Sequence, residues 1–200
     1  MIVELISPAN VDTAEQMIIN CARAASVCVD GEDKEKTLVD SQKLILKLIE
    51  MNHTSVIEHI SYMFLFRDIT RALLQEVSRH RIASPTVKST RWALKKTDNK
   101  TNNYYIPEEF SGSDRDEFIR LNEEIIKFRR DLKDKYSNDI LKYAVMENMY
   151  TSIFLTINAR SLINMFDLRS SPRALQEFQT LCGKIKEVIP TSHRFMYCIG

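Results

Sequence analysis

The sequence predicts an α+β domain in which helices dominate and strands are few and short. Three observations carry this expectation. Apolar residues recur at three- and four-residue steps along 38–49, 118–132 and 175–188, the spacing of one helix face. Alternation with period two is confined to short runs, most clearly at Ile60, Tyr62, Phe64 and Phe66. The chain has 200 residues, 44% hydrophobic and 28% charged, which is enough for one core, so we expect a single domain over 1–200.

Taken in order, Ile2 to Ile6 reads as a strand stopped by Ser7-Pro8. Thr13 and Gln16 have capping-box spacing and predict a helix with Met17, Ile18, Cys21, Ala22 and Ala25 on its inner face. A polar loop over 30–36 precedes a second helix, defined by Leu38, Gln42, Ile45, Leu48 and Ile49 and ending near Met51. His53, Ser55, Glu58 and His59 then lie just before the strand that begins at Ile60, whose second face is apolar enough to be partly covered. Thr70 to Ile82 has helical propensity and pattern, with Ala72, Leu73, Val77 and His80 toward the core. Pro85 cannot continue that helix and restrains Ser84, so SPTVK is expected as a turn and 89–94 as a short strand. Residues 95–112 read as a loop.

Ser113 and Asp116 open a long helix carrying Phe118, Leu121, Ile125, Phe128 and Leu132. Asn138 is placed to cap a helix over 139–150, while 151–158 fits strand or helix by period alone. Asn158 can cap the next helix, on which Arg160 and Asn164 share a face and Arg169 follows at or beyond the last turn. Ser171-Pro172 has the cap-then-proline order of a final helix start, with Leu175, Phe178, Leu181, Cys182, Ile185 and Val188 apolar, ending at Pro190.

Composition excludes several classes. The start lacks a signal-peptide pattern and no run approaches the roughly 18 apolar residues of a membrane span, so a soluble, cytoplasmic protein without a membrane partner is expected. Cys21, Cys28, Cys182 and Cys198 form no CxxC and the four His are scattered, so neither a metal site nor a disulfide framework is expected. With four Gly and neither GxGxxG nor GxxxxGK[ST], a nucleotide would bind without the Rossmann or Walker arrangement.

Positive charge is concentrated in one stretch. Between Arg67 and Lys100 nine Lys/Arg face three acids, a local +6 in a chain of net charge +1. Such crowding costs self-repulsion unless an anion sits there, and guanidinium forks match phosphate or carboxylate two bonds at a time. An anionic ligand follows. Nucleic acid is disfavoured, because the total charge is near zero and the basic stretch lacks interleaved aromatics.

Within that stretch stands Arg79-His80-Arg81, then seven residues, then Ser89. Together with HTSVIEH upstream and NARSLINMFDLR downstream, in this order, the pattern resembles the flavin-dependent thymidylate synthases over most of the chain. The resemblance implies an α+β subunit with a small mixed or antiparallel sheet, a homotetramer with shared active sites, and reductive methylation of dUMP to dTMP. FAD would be the cofactor, with NADPH and 5,10-methylenetetrahydrofolate as co-substrates. It assigns FAD to Ser55, Arg79, His80, Arg81, Asn158, Arg160 and Asn164. It assigns dUMP to the segment from Gln75 and Glu76 through Ser78 and Arg79, to Lys88, Ser89 and Arg91, to Lys142 and to Arg169. Arg169 matches the arginine that meets the uracil ring and favours its N3-deprotonated form, the catalytic role. Ser89 has no local base to activate it and is read as a hydrogen-bonding ligand.

The chain departs from the family pattern at three places. Val87-Lys88 stands where the motif has an acid about two residues before the serine, which leaves open a paralogue that keeps the fold and binds flavin and nucleotide with weakened turnover. Lys142 falls at a family arginine and offers a point charge instead of a fork. Glu76 stands at a family glutamine with Gln75 adjacent, which leaves that register open by one.

Overall fold

The computed structural model describes residues 1–31, 33, 35–97 and 103–199. Its strands are β1 (Ile2–Ser7), β2 (Ser61–Thr70), β3 (Ala83–Val87) and β4 (Tyr150–Asn158), and they form one antiparallel sheet in the order β1-β2-β4-β3. The helices are α1 (Val11–Asp30), α2 (Leu38–Glu50), α3 (Arg71–Ser78), α4 (Thr90–Thr97), α5 (Gly112–Leu132), α6 (Asn138–Leu141), α7 (Ala159–Arg169) and α8 (Gln176–Val188). This is the helix-rich α+β class the sequence predicts. The chain divides into two compact units, Met1–Phe66 with Ser78–Thr86 and Phe154–Gly200, and Arg67–Val77 with Val87–Ile153.

In the first unit, α1 packs on α2 and on the 3-10 turns Thr54–His59 and Thr191–Tyr197, while α8 packs on β1 and α7. The alternation at Tyr62, Phe64 and Phe66 stacks three buried rings on one strand face, with centroids 5.7 and 5.8 Å apart. The helix start expected at Thr13 lies earlier: Asn10 is the N-cap, accepting the Thr13 N–H at 2.9 Å. The last helix begins at Gln176, because Ser171-Pro172 forms a turn instead.

A buried polar chain ties this unit together. His193 Nε2 lies 2.7 Å from the Ala14 carbonyl, so it carries the proton and donates. His193 Nδ1 is then the acceptor for the Tyr62 hydroxyl at 2.8 Å, and the Tyr197 hydroxyl donates to Tyr62 at 2.9 Å.

In the second unit, the N–H groups that open α3 are satisfied by Met149 O, Glu147 O and the Thr70 side chain, at 3.1, 2.9 and 2.9 Å. That helix stops at Ser78, short of the expected Ile82, and Ile82 is exposed. Two expectations fail just after it. SPTV lies in the strand β3 with Lys88 just beyond it, since an edge strand tolerates Pro85 without losing a ladder bond. Residues 90–97 are the helix α4, whose adjacent Ala93 and Leu94 pack with Leu141 and Met149, as a helix allows and an alternating strand does not.

The long helix α5 buries Asn122 and Arg129 in place of the predicted Leu121 and Phe128, which are exposed. The polar pair is held from a distance in sequence: Asn148 Nδ2 donates to Asn122 Oδ1 at 2.9 Å, and Arg129 donates to Ala144 O at 3.1 Å. Asn138 caps nothing with its side chain; the helix it opens, α6, is four residues long, and its amide donates to Arg91 O at 3.1 Å. The ambiguous 151–158 run is the strand β4.

Candidate functional site

The residues assigned to dUMP fall mainly in the second unit. Gln75 and Glu76 lie in α3, and Ser78 closes that helix in the first unit. Lys88 follows β3, its N–H donating to Ser152 O at 2.9 Å, and Ser89 O accepts the Ala93 N–H at 2.9 Å to start α4. Arg71 NH1 donates to Thr90 Oγ1 at 2.9 Å, and Asn138 holds the Arg91 carbonyl. The segment 88–91 is thus pinned by bonds at each residue, which fixes where Ser89 and Arg91 stand.

Arg91 and Lys142, 51 positions apart by number, converge on one carboxylate. Arg91 NH1 is 3.3 Å from Asp139 Oδ2 and Lys142 Nζ is 3.9 Å from Asp139 Oδ1. Arg91 sits in the first turn of α4 and Lys142 at the end of α6, and these helices pack together over Leu94 and Leu141. The structure therefore brings together two cations of the expected nucleotide set.

Every residue assigned to FAD lies in the first unit. Asn158 caps α7, its side chain accepting the Ser161 N–H at 2.8 Å, and the Ala159 N–H is taken by Ile60 O. Arg160 and Asn164 are exposed one turn apart on α7, which packs on the 3-10 turn carrying Ser55. From that turn Glu58 accepts a hydrogen bond from Arg160 NH1. Ser55 also lines a groove with Ser26, Leu44, Leu48, His53 and Val56. Arg79 and Arg81 are exposed in the segment after α3. These residues fit an anionic dinucleotide: Arg160 already receives an acidic oxygen at its guanidinium, and further guanidinium groups stand in the same unit.

Arg169, the last residue of α7, meets the middle of the Arg-His-Arg motif. Its Nε–H donates to His80 Nε2 at 3.2 Å, so His80 accepts on that nitrogen and is neutral with its proton on Nδ1. Both side chains lean on the fully buried Phe178 ring of α8: the guanidinium carbon is 5.1 Å from its centroid, and the imidazole meets it edge-on at 5.7 Å. Nearby, burial pushes the Cys182 thiol up to about 11, against the pull of a Ser170 hydrogen bond and the charges of Lys186 and Arg169. A thiol held neutral there is packing, not a nucleophile.

Sequence reasoning did not single out Phe178, Asp139 or Arg71 as parts of the site. Asp139 had a signal, a carboxylate three residues before Lys142 in a helical stretch. Phe178 had none, being one apolar position among several on α8. Among the described residues no group of His, Cys, Asp and Glu could hold a metal, and no helix is long and apolar enough to cross a membrane.

A family model described as thymidylate synthase complementing protein matches residues 10–192. A relative named flavin-dependent thymidylate synthase, from Campylobacter jejuni strain RM1221, is 38% identical over 192 residues, covering 88% of this chain and 89% of its own. A protein of the same name from Wolinella succinogenes is 32% identical over 206 residues, covering 100% and 98%. A crystal structure of thymidylate synthase X from Helicobacter pylori with FAD and dUMP matches with a TM-score of 0.74 at 30% identity, covering 98% of this chain and 97% of that one.

Proposed function

Because the chain belongs to the flavin-dependent thymidylate synthases, we propose that it converts dUMP to dTMP by reductive methylation. FAD is the cofactor, and NADPH and 5,10-methylenetetrahydrofolate are the co-substrates. The observation that carries this reading is the bond between Arg169 and His80, which joins the end of the NARSLINMFDLR stretch to the Arg-His-Arg motif. When bound, FAD supplies the hydride chemistry.

The chain's own residues position the reactants and tune their charge. Arg79, Arg81 and Arg160 hold the pyrophosphate, with Ser55, His80, Asn158 and Asn164 completing the flavin set. Arg91 offers phosphate a two-pronged fork and Lys142 a point charge, while Lys88 and Ser89 add a cation and a hydroxyl beside them. Gln75, Glu76, Ser78 and Arg79 complete the nucleotide set. Arg169 places a permanent cation at the uracil, which lowers the N3 pKa and stabilises the anion. A neutral His80 orients that cation without competing with its charge.

The whole chain acts as one synthase domain over 1–200, assembles as a homotetramer with shared active sites and works in the cytoplasm. The test is the visible absorption of the purified protein under anaerobic NADPH, with and without dUMP, followed by assay for dTMP. Oxidised-flavin bands that bleach faster with dUMP, and dTMP formed when the folate is added, are expected. A protein that retains no flavin after reconstitution overturns the reading.

A further inference from the structure

Asp139 stands between the two cations assigned to the nucleotide phosphate, one carboxylate oxygen toward each: Oδ2 at 3.3 Å from Arg91 NH1 and Oδ1 at 3.9 Å from Lys142 Nζ. We propose that Asp139 is a built-in counter-anion that competes with phosphate for Arg91 and Lys142, and so sets how tightly the site holds nucleotide. The inference rests on assigning Arg91 and Lys142 to that phosphate.

The placement is not incidental to a floppy surface. Asn138, the residue before it, donates to the Arg91 carbonyl at 3.1 Å, and Leu141, two residues on, packs with Ala93, Leu94 and Met149. The backbone that carries the carboxylate is therefore anchored against α4 on either side of Asp139. Stability does not explain it, because all three side chains are about half exposed, from 45% to 57%, and such pairs contribute little to folding. Its effect is on the local field. A carboxylate within 4 Å of both cations cancels part of the attraction that any incoming phosphate meets, and it occupies donors that the phosphate needs.

That arrangement weakens every ligand that binds through phosphate, substrate and product alike. Without the carboxylate, a site built from Arg91 and Lys142 would hold substrate and product both more firmly through the phosphate they share, and product release would slow. With the carboxylate present, binding depends more on groups that meet the base and sugar. Arg169, in particular, distinguishes a nucleotide from a bare anion.

Trp92, the chain's one tryptophan, is exposed next to Arg91 and provides the readout. Full-length flavin-loaded protein is titrated with inorganic phosphate, and separately with dUMP and dTMP, following Trp92 emission. The variants are Asp139→Asn and, as a control for net charge, Asp131→Asn on the exposed side of α5. Asp139→Asn is expected to lower the half-saturating concentrations of all three ligands by about three- to tenfold, and most at low salt. Asp131→Asn should leave them unchanged.

The sign matters. A purely structural role for Asp139 would loosen Arg91 and weaken binding, so unchanged or raised half-saturation in Asp139→Asn overturns the proposal. If phosphate binding tightens in this variant but the wild type gives no response to dUMP, the counter-anion role stands and the synthase reading fails instead.

Discussion

Replacing Tyr62 with Phe removes one oxygen from the buried polar chain of Tyr62, His193 and Tyr197. Tyr62 is 0% exposed, as is His193. Its hydroxyl donates to His193 Nδ1 at 2.8 Å and accepts from Tyr197 at 2.9 Å, while His193 Nε2 stays committed to the Ala14 carbonyl at 2.7 Å. Tyr62→Phe therefore leaves an acceptor on His193 and a donor on Tyr197 without their partner, in a place water does not reach. At about 1–3 kcal/mol per stranded group, with some relaxation, the loss is about 2–4 kcal/mol. For a chain of this length that lowers Tm by roughly 5–15 °C. Tyr197→Phe removes only a donor and leaves Tyr62 still bonded to His193, so it should cost about 1 kcal/mol. Urea and thermal unfolding of both variants check the order. If Tyr62→Phe comes within about 0.5 kcal/mol of wild type, or costs less than Tyr197→Phe, the reading of this chain as a fixed donor-to-acceptor line is wrong.

The same network predicts a pH dependence. Burial lowers the His193 pKa from its ordinary value of 6.5, against a smaller upward pull from the Ala14 carbonyl, so the unfolded chain binds a proton the folded one refuses. Stability from this residue is complete above pH 6.5 and falls as pH drops from there toward the lowered folded value; urea midpoints from pH 8 to 5 should show it, and His193→Gln should flatten the slope. Arg169→Ala should keep its flavin bands yet lose dUMP-dependent flavin oxidation by at least about 100-fold, and normal turnover would remove Arg169 from its assigned role. Thiol titration with a bulky disulfide reagent should find the exposed Cys28 and Cys198 in the native protein and the buried Cys21 and Cys182 only after denaturation, as burial raises the Cys21 and Cys182 pKa to about 11.

What the sequence revealed was local. Thr70 as the start of α3 and Asn158 as the cap of α7 were legible because each satisfies an N–H three residues away. Apart from the helix starts misplaced by a few residues at Thr13 and Ser171-Pro172, the misreadings involve partners far along the chain. Pro85 reads as a turn former until β3 is known to lie at a sheet edge. Asn122 and Arg129 look like the solvated face of α5, and the bonds from Asn148 to Asn122 and from Arg129 to the Ala144 carbonyl, which satisfy them once buried, come from residues outside that helix. His193 carries no sign of its role, since Tyr62 and Ala14 are 131 and 179 positions away. The site divides the same way. Arg79, His80, Arg81 and Ser89 were singled out by fixed spacing, whereas Phe178 meets Arg169 and His80 from another helix, and Asp139 faces Arg91, 48 positions away, as well as the nearby Lys142.

That fixed spacing itself has a structural cause. The seven residues between Arg81 and Ser89 are β3 with one residue before it and one after it. The strand pairs with β4, and the pairing continues to the bond between the Lys88 N–H and Ser152 O. Strand side chains and N–H groups alternate with period two, so removing one residue cannot be absorbed by sliding: it turns the N–H at 88 away from Ser152 or reverses every side chain in the strand. Either way, Ser89 and Arg91 leave the position fixed by Arg71, Asn138 and Asp139. A loop of seven residues could vary in length at little cost, but a hydrogen-bonded strand cannot. The motif's seven-residue spacing is therefore the length of one edge strand with a residue on either side of it.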